Sequence, residues 1–422
     1  MNATASSGTQ GTQSGLEELA KTGPGTPMGQ LLRRFWQPIA AAAEVPKSWS
    51  IPIRILGEDL TLYRGESGAP HLVAARCAHR LTHLHVGWVE DENIRCMYHG
   101  WMYDGSGQCV EMPAEEASFA DRVRIAAYPV REYCGLIFAY LGDGEPPAFE
   151  LPRHPELERP DAIRWIQRQI WGCNWLQSVE NSLDAAHVSF VHRWGRLGLF
   201  GAAVSDVLPK LEYLETESGI RQIATRSADN VRVSDWTFPN HNHIVVPGLS
   251  REDPWTHTFP WMVALDDGHC MRLTWQCSFA EGEAAERLKT YLLTNGYEPT
   301  QEPNTYFGRQ AYDPSQHHDD LFFRRACPEP LTSELTNAQD YVAQVAQGSV
   351  VDRTRERLGQ SDAGVRFLRM LLLRELAALR GGRAPKHWTR SGDPVPLPAQ
   401  PWEQTTTGRG WDRKGLTTVS AG

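Results

Sequence analysis

Cys77-Ala-His79 and Cys96-Met-Tyr-His99 are separated by sixteen residues, and each half offers one thiolate and one imidazole at close spacing. Two Cys with two His is the donor set of a Rieske-type [2Fe–2S] centre, in which imidazoles replace two of the four thiolates on one iron and raise its reduction potential. A structural zinc site is the competing reading, since Cys₂His₂ tetrahedra are common. Zinc modules pair Cys with Cys and His with His, whereas here the two alternate along the chain, which favours the cluster.

A second constellation is Glu180-Asn181-Ser-Leu-Asp184-Ala-Ala-His187-Val-Ser-Phe-Val-His192. Two imidazoles with acids nearby can hold a divalent metal; the competing reading is a pair of structural histidines beside an acidic face. On a regular helix the i, i+5 spacing sets the rings about 140° apart, so a helix end or a π-bulge must bring them together. Asp184, at i, i+3 from His187, can orient that ring. A 2-His-1-carboxylate triad for Fe(II) needs one more acid. The candidates are Asp266 and Asp267, Asp319 and Asp320 after His317-His318, and Asp340. Asp340 is preferred, because a ligand on a helix among Tyr341, Val342, Val345 and Ala346 is held more rigidly than one in a polar turn.

The elements that must position these donors fall into two groups. From Ile51 to about Tyr140, short β-type runs (Ile53-Arg-Ile-Leu, Asp59-Leu-Thr-Leu-Tyr, His71-Leu-Val-Ala, Gly135-Leu-Ile-Phe-Ala-Tyr-Leu) are cut by Gly, Asp and Pro turns. They predict a small antiparallel β-domain with both Cys–His pairs on loops and a hairpin turn at Asp104-Gly-Ser-Gly107. A short helix over Thr26–Trp36 precedes it, and the Pro-rich stretch from Pro146 to Pro160 marks a boundary. Beyond it, Trp175, Leu176, Val179, Leu183, Ala186 and Phe190 recur at helical spacing and predict a helix with one apolar face. Strand-like sequence rich in Trp, Pro and His follows from about Lys210 to Gln276. The last third is helical, with one helix over Asn337–Gln347 closed by Gly348. A second starts at Ser361 and carries a stripe of Val365, Leu368, Leu372, Leu376 and Leu379. The Pro-, Trp- and Thr-rich tail from Pro394 is expected to wrap the surface or a neighbouring subunit.

The 422 residues leave room for two or three domains. A net charge of −9 without any Lys/Arg run argues against a nucleic-acid partner. No run approaches ~18 apolar residues, so no membrane span is expected. Met1 to Gly15 is Ser/Thr/Gly-rich, without the basic and apolar regions of a signal peptide, and predicts a disordered tail. Eight Cys in so long a chain are no disulfide framework. Cys109, Cys134, Cys173, Cys270, Cys277 and Cys327 are expected to be buried thiols, which fits a reducing, bacterial-type cytoplasm.

Together the segments GPGTPMGQLLRRFWQP, CAHR…CMYHGWMYDGSGQCVEMPAE, ENSLDAAHVSFVH, NAQDYVAQVAQG and DRTRERLGQSD resemble the Rieske non-haem iron aromatic ring-hydroxylating oxygenases. Within that family they are most similar to the oxygenase components (alpha subunits) of the phthalate 4,5-dioxygenase-like subgroup, over about Pro24 to Gly381. The resemblance implies an α+β fold, with a Rieske antiparallel β-domain inserted in a helix-grip catalytic domain of antiparallel sheet plus helices. Residues 1–22 would be a disordered tail, 23–150 the N-terminal helix and Rieske domain (core about 36–142), and 151–422 the mononuclear-iron domain with its C-terminal helices and tail. Cys77, His79, Cys96 and His99 would hold one [2Fe–2S] cluster, and His187, His192 and Asp340 one mononuclear Fe(II). Asn181 would lie near that iron. Asp184 would bridge electrons to it from His99 of a neighbouring subunit in a homotrimer. Ala78 stands where the family usually has Pro, a departure that leaves the donors intact.

Gly23-Pro-Gly25 and Gly105-Ser-Gly107 lack the strand–turn–helix context of a dinucleotide site, so NAD(P)H electrons are expected through a separate flavin or ferredoxin-type reductase. The implied reaction is O2-dependent hydroxylation or oxidative dealkylation of a small aromatic substrate, whether an aromatic acid, an aryl ether or an N-alkyl compound. The aromatic-rich segments Asp235–His243 and Trp255–Trp261 are either walls of its pocket or core. Arg221, Arg226 and Arg232 are all candidates to pair a substrate carboxylate. The alternative is a Rieske electron-transfer protein without oxygenase activity, which needs only the β-domain and leaves ~270 residues and the second His pair without a purpose.

Overall fold

Short apolar runs broken by turns form strands, and the chain from Gln37 to Ala139 folds as a series of them. The computed structural model describes residues 15–149, 154–192, 207–227, 230–250, 252–308, 315, 324 and 335–384. His317, His318, Asp319, Asp320, Cys327 and the tail from Pro394 therefore lie outside the described residues. Two units are distinguished by their internal contacts. One comprises Thr22–Phe149 with Val263–Asp266, and the other comprises Met1–Lys21, Glu150–Met262 and Asp267–Gly422.

In the first unit the helix Pro27–Leu32 is capped by Thr26, whose side chain accepts from the Gly29 N–H. Its strands are β1 (Gln37–Ala41), β2 (Trp49–Ile55), β3 (Glu58–Arg64), β4 (Pro70–Ala74), β5 (Trp88–Glu90), β6 (Asn93–Arg95), β7 (Met102–Tyr103), β8 (Cys109–Glu111), β9 (Ala127–Tyr128), β10 (Val130–Tyr133) and β11 (Leu136–Ala139). They form three antiparallel sheets, β1-β11-β10, β2-β3-β4-β9 and β5-β6-β7-β8. The β7–β8 hairpin closes where Asp104-Gly-Ser-Gly107 predicts it. The Asp104 carboxylate accepts from the Ser106 and Gln108 N–H groups, and Gly107 takes φ +82° where a Cβ would meet the Ile125 carbonyl. Cys77 and Cys96 are part of this unit's core, packed with Leu84, Ile94, Trp101 and Tyr103.

The second unit is built on a nine-stranded sheet. Its strands are β12 (Ile163–Trp171), β13 (Lys210–Glu215), β14 (Gly219–Ser227), β15 (Asn230–Thr237), β16 (His241–Val246), β17 (Thr256–Asp266), β18 (His269–Ser278), β19 (Glu298–Pro299) and β20 (Thr305–Gly308), in the order β13-β14-β15-β16-β17-β18-β12-β20-β19. Only the β12–β20 register is parallel among those described. Helices run over Trp175–Ser182, Val188–Val191, Gly282–Thr294, Leu335–Val345 and Ala363–Arg380. On the last of these Val365, Leu368, Leu372 and Leu376 are buried, as their spacing predicts. No helix among the described residues is long and apolar enough to cross a membrane.

Two expectations need correction. The single apolar helix reaching Phe190 is in fact two helices. It ends at Ser182 with Leu183 as its cap, and Phe190 is 65% exposed. The break has a local cause, because the Asp184 carboxylate accepts from the Ala186 and His187 N–H groups and starts a new turn. The disordered tail over 1–22 is also wrong for its final residues. Residues 15–20 are helical, Leu19 is fully buried, and the carbonyls of Leu19 and Ala20 accept from Trp175 Nε1 and Asn174 Nδ2. Among the remaining thiols, Cys109, Cys173, Cys270 and Cys277 are buried, while Cys134 is only half-buried.

A buried ion network fixes the Trp175–Ser182 helix. Glu180 accepts from Arg369 at 2.6 Å and Arg353 at 3.1 Å, and Arg369 also holds Glu356 at 2.7 and 3.1 Å. Removing the acid leaves the buried Arg353 guanidinium without its carboxylate and Arg369 with Glu356 alone, and breaking a buried pair in this way costs about 3–5 kcal/mol. Glu180→Gln should therefore bring an earlier unfolding transition of this unit in a urea titration; an unchanged midpoint would remove Glu180 from this role.

Candidate metal centres and substrate cavity

The four Cys and His donors of the first unit sit on two loops that adopt the same backbone turn. The Cys77 N–H donates to the Thr82 carbonyl and its carbonyl accepts from Leu81; the Cys96 N–H donates to Trp101 and its carbonyl accepts from Gly100. The residue closing each turn is left-handed, Leu81 at φ 60° and Gly100 at φ 76°. Both thiols are buried, His79 is half-buried and His99 is exposed, so the sulfurs face the core and the imidazoles the surface. The His79 and His99 rings lie 4.4 Å apart, and Trp101 stacks on His79 at 4.6 Å. His79 Nδ1 is buried without a hydrogen-bond partner, an atom left free for a metal.

The spacing of these donors separates the two metals considered for them. A tetrahedral zinc would gather all four within roughly 4 Å of one another. Among the described residues, no three of them come within 4.8 Å of one another. A sulfur pair and an imidazole pair set apart suit a two-iron cluster, with one pair on each iron. Tyr103 adds an electronic handle. Its oxygen accepts from the Ala78 N–H at 3.1 Å, which turns its hydrogen toward Cys77 Sγ at 3.3 Å. Burial, and then Cys77, push this hydroxyl above its ordinary range, so it stays a donor.

In the second unit the helix break described above solves the angular problem of the two histidines. His187 is the N-cap and His192 the C-cap of the four-residue helix Val188–Val191, and their ring centroids are 5.5 Å apart. Asp340 Oδ1, on the helix Leu335–Val345, lies 3.5 Å from His187 Nε2 and 3.4 Å from His192 Nε2. This oxygen is buried and accepts no hydrogen bond, and the three side chains form a cluster able to hold one metal ion. Gln177 ties the helix Trp175–Ser182 to the end of the Asp340 helix, donating to the Gln344 and Gly348 carbonyls at 3.1 and 3.0 Å. Asn181 Nδ2 is 3.4 Å from His187 Nε2. Of the other candidate acids, Asp266 is held by Arg54 at 2.9 Å, while the runner-up pair Asp319 and Asp320 lies outside the described residues.

Two supporting residues carry no signal in the sequence. The neighbour of Asp340, Gln339, takes a hydrogen bond from His192 Nδ1–H at 3.2 Å and so leaves Nε2 unprotonated toward the metal position. Gln222 accepts from the Ala185 N–H and donates to the Ser182 carbonyl, pinning the turn between the helices to β14. Asp184 Oδ2 lies 3.7 Å from His187 Nδ1, an ion-pair contact too long for a hydrogen bond. Burial opposes the charge on both groups, yet the pairing prevails and holds the Asp184 carboxyl below and His187 above their ordinary ranges. Burial holds His192 below its own.

The triad opens onto a cavity of about 680 Å³. Strand alternation decides which residues line it. Asn242, Ile244, Thr256 and Thr258 face the cavity, whereas His241, His243, His257, Phe259 and Trp261 face the other way into core. The aromatic-rich segments are therefore mostly core. There His241 Nδ1–H donates to the Pro260 carbonyl, so its Nε2 accepts from His154 at 3.0 Å; His243 and His257 pair at 3.2 Å.

A family model described as the Rieske [2Fe-2S] domain matches residues 35–131. The 5,5'-dehydrodivanillate O-demethylase oxygenase subunit of Sphingobium sp. strain SYK-6 is 33% identical over 404 residues, 90% of this chain and 85% of that protein. The phenoxybenzoate dioxygenase subunit alpha of Ectopseudomonas oleovorans is 31% identical over 87% of this chain and 86% of its own length. The solved terminal oxygenase of carbazole 1,9a-dioxygenase from Novosphingobium sp. KA1 has the same fold, with a TM-score of 0.61 at 19% identity over 91% of this chain and 98% of that one.

Two outcomes follow from these geometries. Burial pulls His154 to about 3 and His257 to about 4, and holds His241 and His243 well below the usual imidazole value. Unfolded histidines titrate near 6.5. The folded protein thus binds fewer protons, and this stability is complete above about pH 6.5 and lost as pH falls toward 4 and 3. Thermal melts between pH 7.5 and 4.5 should show that loss; a flat profile would contradict the neutral cluster. Separately, Tyr103→Phe removes a hydrogen bond that favours the more electron-rich sulfur, and should lower the cluster's potential by on the order of tens of mV in a redox titration.

Proposed function

The chain belongs to the Rieske non-haem iron oxygenases, as an oxygenase component, and on that premise we propose that it oxidises a small aromatic substrate with O2 by hydroxylation or oxidative dealkylation. The observation that carries the proposal is the opening of the His187–His192–Asp340 cluster onto the cavity of about 680 Å³. One protein of 33% identity is named for O-demethylation and another of 31% for phenoxybenzoate dioxygenation, so either outcome belongs to this chemistry.

Cys77, His79, Cys96 and His99 are the residues for the [2Fe–2S] cluster, and His187, His192 and Asp340 those for the mononuclear iron, which supplies the O2 chemistry when bound. Residues 23–150 make up the cluster domain and 151–422 the iron domain. The protein's own part is positional. Gln339 fixes the tautomer of His192, Asp184 holds the turn that carries His187, and Asn181 stands beside His187 Nε2. Electrons come from a separate NAD(P)H-dependent reductase of flavin or ferredoxin type, in the cytoplasm. The exposed imidazole His99 and the partly exposed carboxylate Asp184 suit a homotrimer in which His99 of one subunit meets Asp184 of the next, beside His187.

Metal analysis and turnover test this assignment. The loaded protein should be brown, with roughly three irons per chain, and Asp340→Ala should keep about two together with the colour. Asp184→Asn should retain all the iron yet lose at least about 100-fold in substrate-coupled O2 uptake with a surrogate reductase. Full turnover in Asp184→Asn would falsify the relay, and loss of cluster colour in Asp340→Ala would misplace that ligand.

A further inference from the structure

Three arginines on β14 and β15 are candidate partners for a substrate carboxylate, and the sheet sorts them by face. Arg221 pairs with Asp235 at 2.8 and 2.7 Å, directly across the register, on the face that carries His243. It is already neutralised. Arg226 and Arg232 fall on the opposite face and line the cavity. Arg226 Nε donates to the Val207 carbonyl at 3.1 Å, while its Nη1 and Nη2 are buried without any hydrogen-bond partner. Arg232 donates from Nη2 to the Val245 carbonyl at 2.8 Å. Neither has an acidic partner among the described residues. Asp253, an acid of the same wall, is taken by Arg287, and Arg272, a third wall arginine, is faced by Asp340 and covers the Trp171 ring at 4.9 Å.

Two desolvated cations side by side are costly without a counter-ion. Burial pulls Arg226 down to about 10; burial, and then Arg226, pull Arg232 to about 9. A cavity that keeps such a pair leaves the counter-charge for its ligand to bring. We propose that Arg226 and Arg232 clamp a carboxylate on the aromatic substrate, so that this oxygenase acts on aromatic acids. The word substrate here rests on the oxygenase reading above; the anion clamp does not.

The register also sets where the carboxylate lies. Gln222 is bonded to the turn that carries His187, and along β14 the position beside Arg232 is Ala224. At the rise of an extended strand, Arg232 stands about 7 Å and Arg226 about 13 Å beyond Gln222. The acid group is then held further along the strand from the iron turn, and the opposite end of the molecule is presented to the triad. Guanidinium forks grip carboxylates in two-point geometry, which also fixes orientation.

Calorimetric titration of the metal-loaded protein with benzoate, biphenyl-4-carboxylate and their methyl esters tests the clamp. Acids should bind at least tenfold more tightly than their esters. Arg226→Met and Arg232→Met should each weaken acid binding by 10–100-fold without changing ester binding, and Arg232→Lys should recover part of the loss. Because each Met variant removes an unpaired buried charge, its ligand-free melting temperature should rise, which a cation with a merely structural role would not allow. Esters that bind as well as acids, a panel in which no acid binds, or an Arg232→Met protein that melts lower with unchanged acid affinity would each overturn the proposal. The acid-to-ester ratio of the unaltered protein decides even if a variant fails to fold. Absent turnover with the acid preference intact counts against the oxygenase reading alone.

Discussion

Glu180 and its two guanidinium partners hold the helix Trp175–Ser182 in place, and the mononuclear site is assembled outward from the end of that helix. The acid sits within the last turn of the helix and is locked to Arg369 of the long Ala363–Arg380 helix and to Arg353. With the end fixed, the chain turns at Leu183, whose carbonyl accepts from the Tyr213 hydroxyl, and Gly364 leaves the room that this approach requires. Asp184 then holds the turn that leads into the next short helix, and the two imidazoles emerge from the opposite ends of that helix. A charge network that touches neither metal ligand nor cavity therefore carries the geometry of both.

The cluster loops follow a different logic. Each is a turn closed by its own backbone, anchored by a cysteine in the core and braced by the arginine before that cysteine: Arg76 donates to the Leu81 carbonyl, and Arg95, itself paired with Glu90 and Glu111, donates to the Gly100 carbonyl. The repetition of one turn in two places lets the sulfurs come together inside and the imidazoles outside. Polarity and the proposed function coincide here, since the solvent-facing imidazoles are the donors that the relay to Asp184 would use.

Much of this was legible in the sequence because the chemistry is local. The Cys–His spacings, the Asp104 hairpin turn and the leucine stripe of the last helix each depend on residues within a few positions of one another. The helix break was not, because Ala186 and Phe190 continue the apolar period past the point where Asp184 ends it; capping overrides periodicity without disturbing it. The helical segment at 15–20 was obscured by the Ser- and Gly-rich residues just before it. Gln339 and Gln222 act through partners 147 and 37 positions away, a separation that no pattern reports. The choice among acids, which favoured Asp340 for its rigid helix, coincides with the acid found beside both imidazoles, while Asp266 is committed to Arg54. The arginines could be sorted only once strand register was known.

The two faces of β14 to β17 have a consequence for how such a protein can change over time. On β16 and β17 the odd-numbered side chains build the histidine and aromatic core and the even-numbered ones line the cavity, while β14 and β15 give the cavity Gln222, Ala224, Ser234 and the two arginines. The backbone of the sheet stands between them. Substitution at an even position alters what the cavity admits while the packing beneath stays intact, so selection for a new substrate and selection for a folded chain act on separate sets of residues. A lineage built on this sheet can exchange one substrate for another by drift through its cavity-facing positions, Gln222 excepted, because that side chain also pins the turn that carries His187.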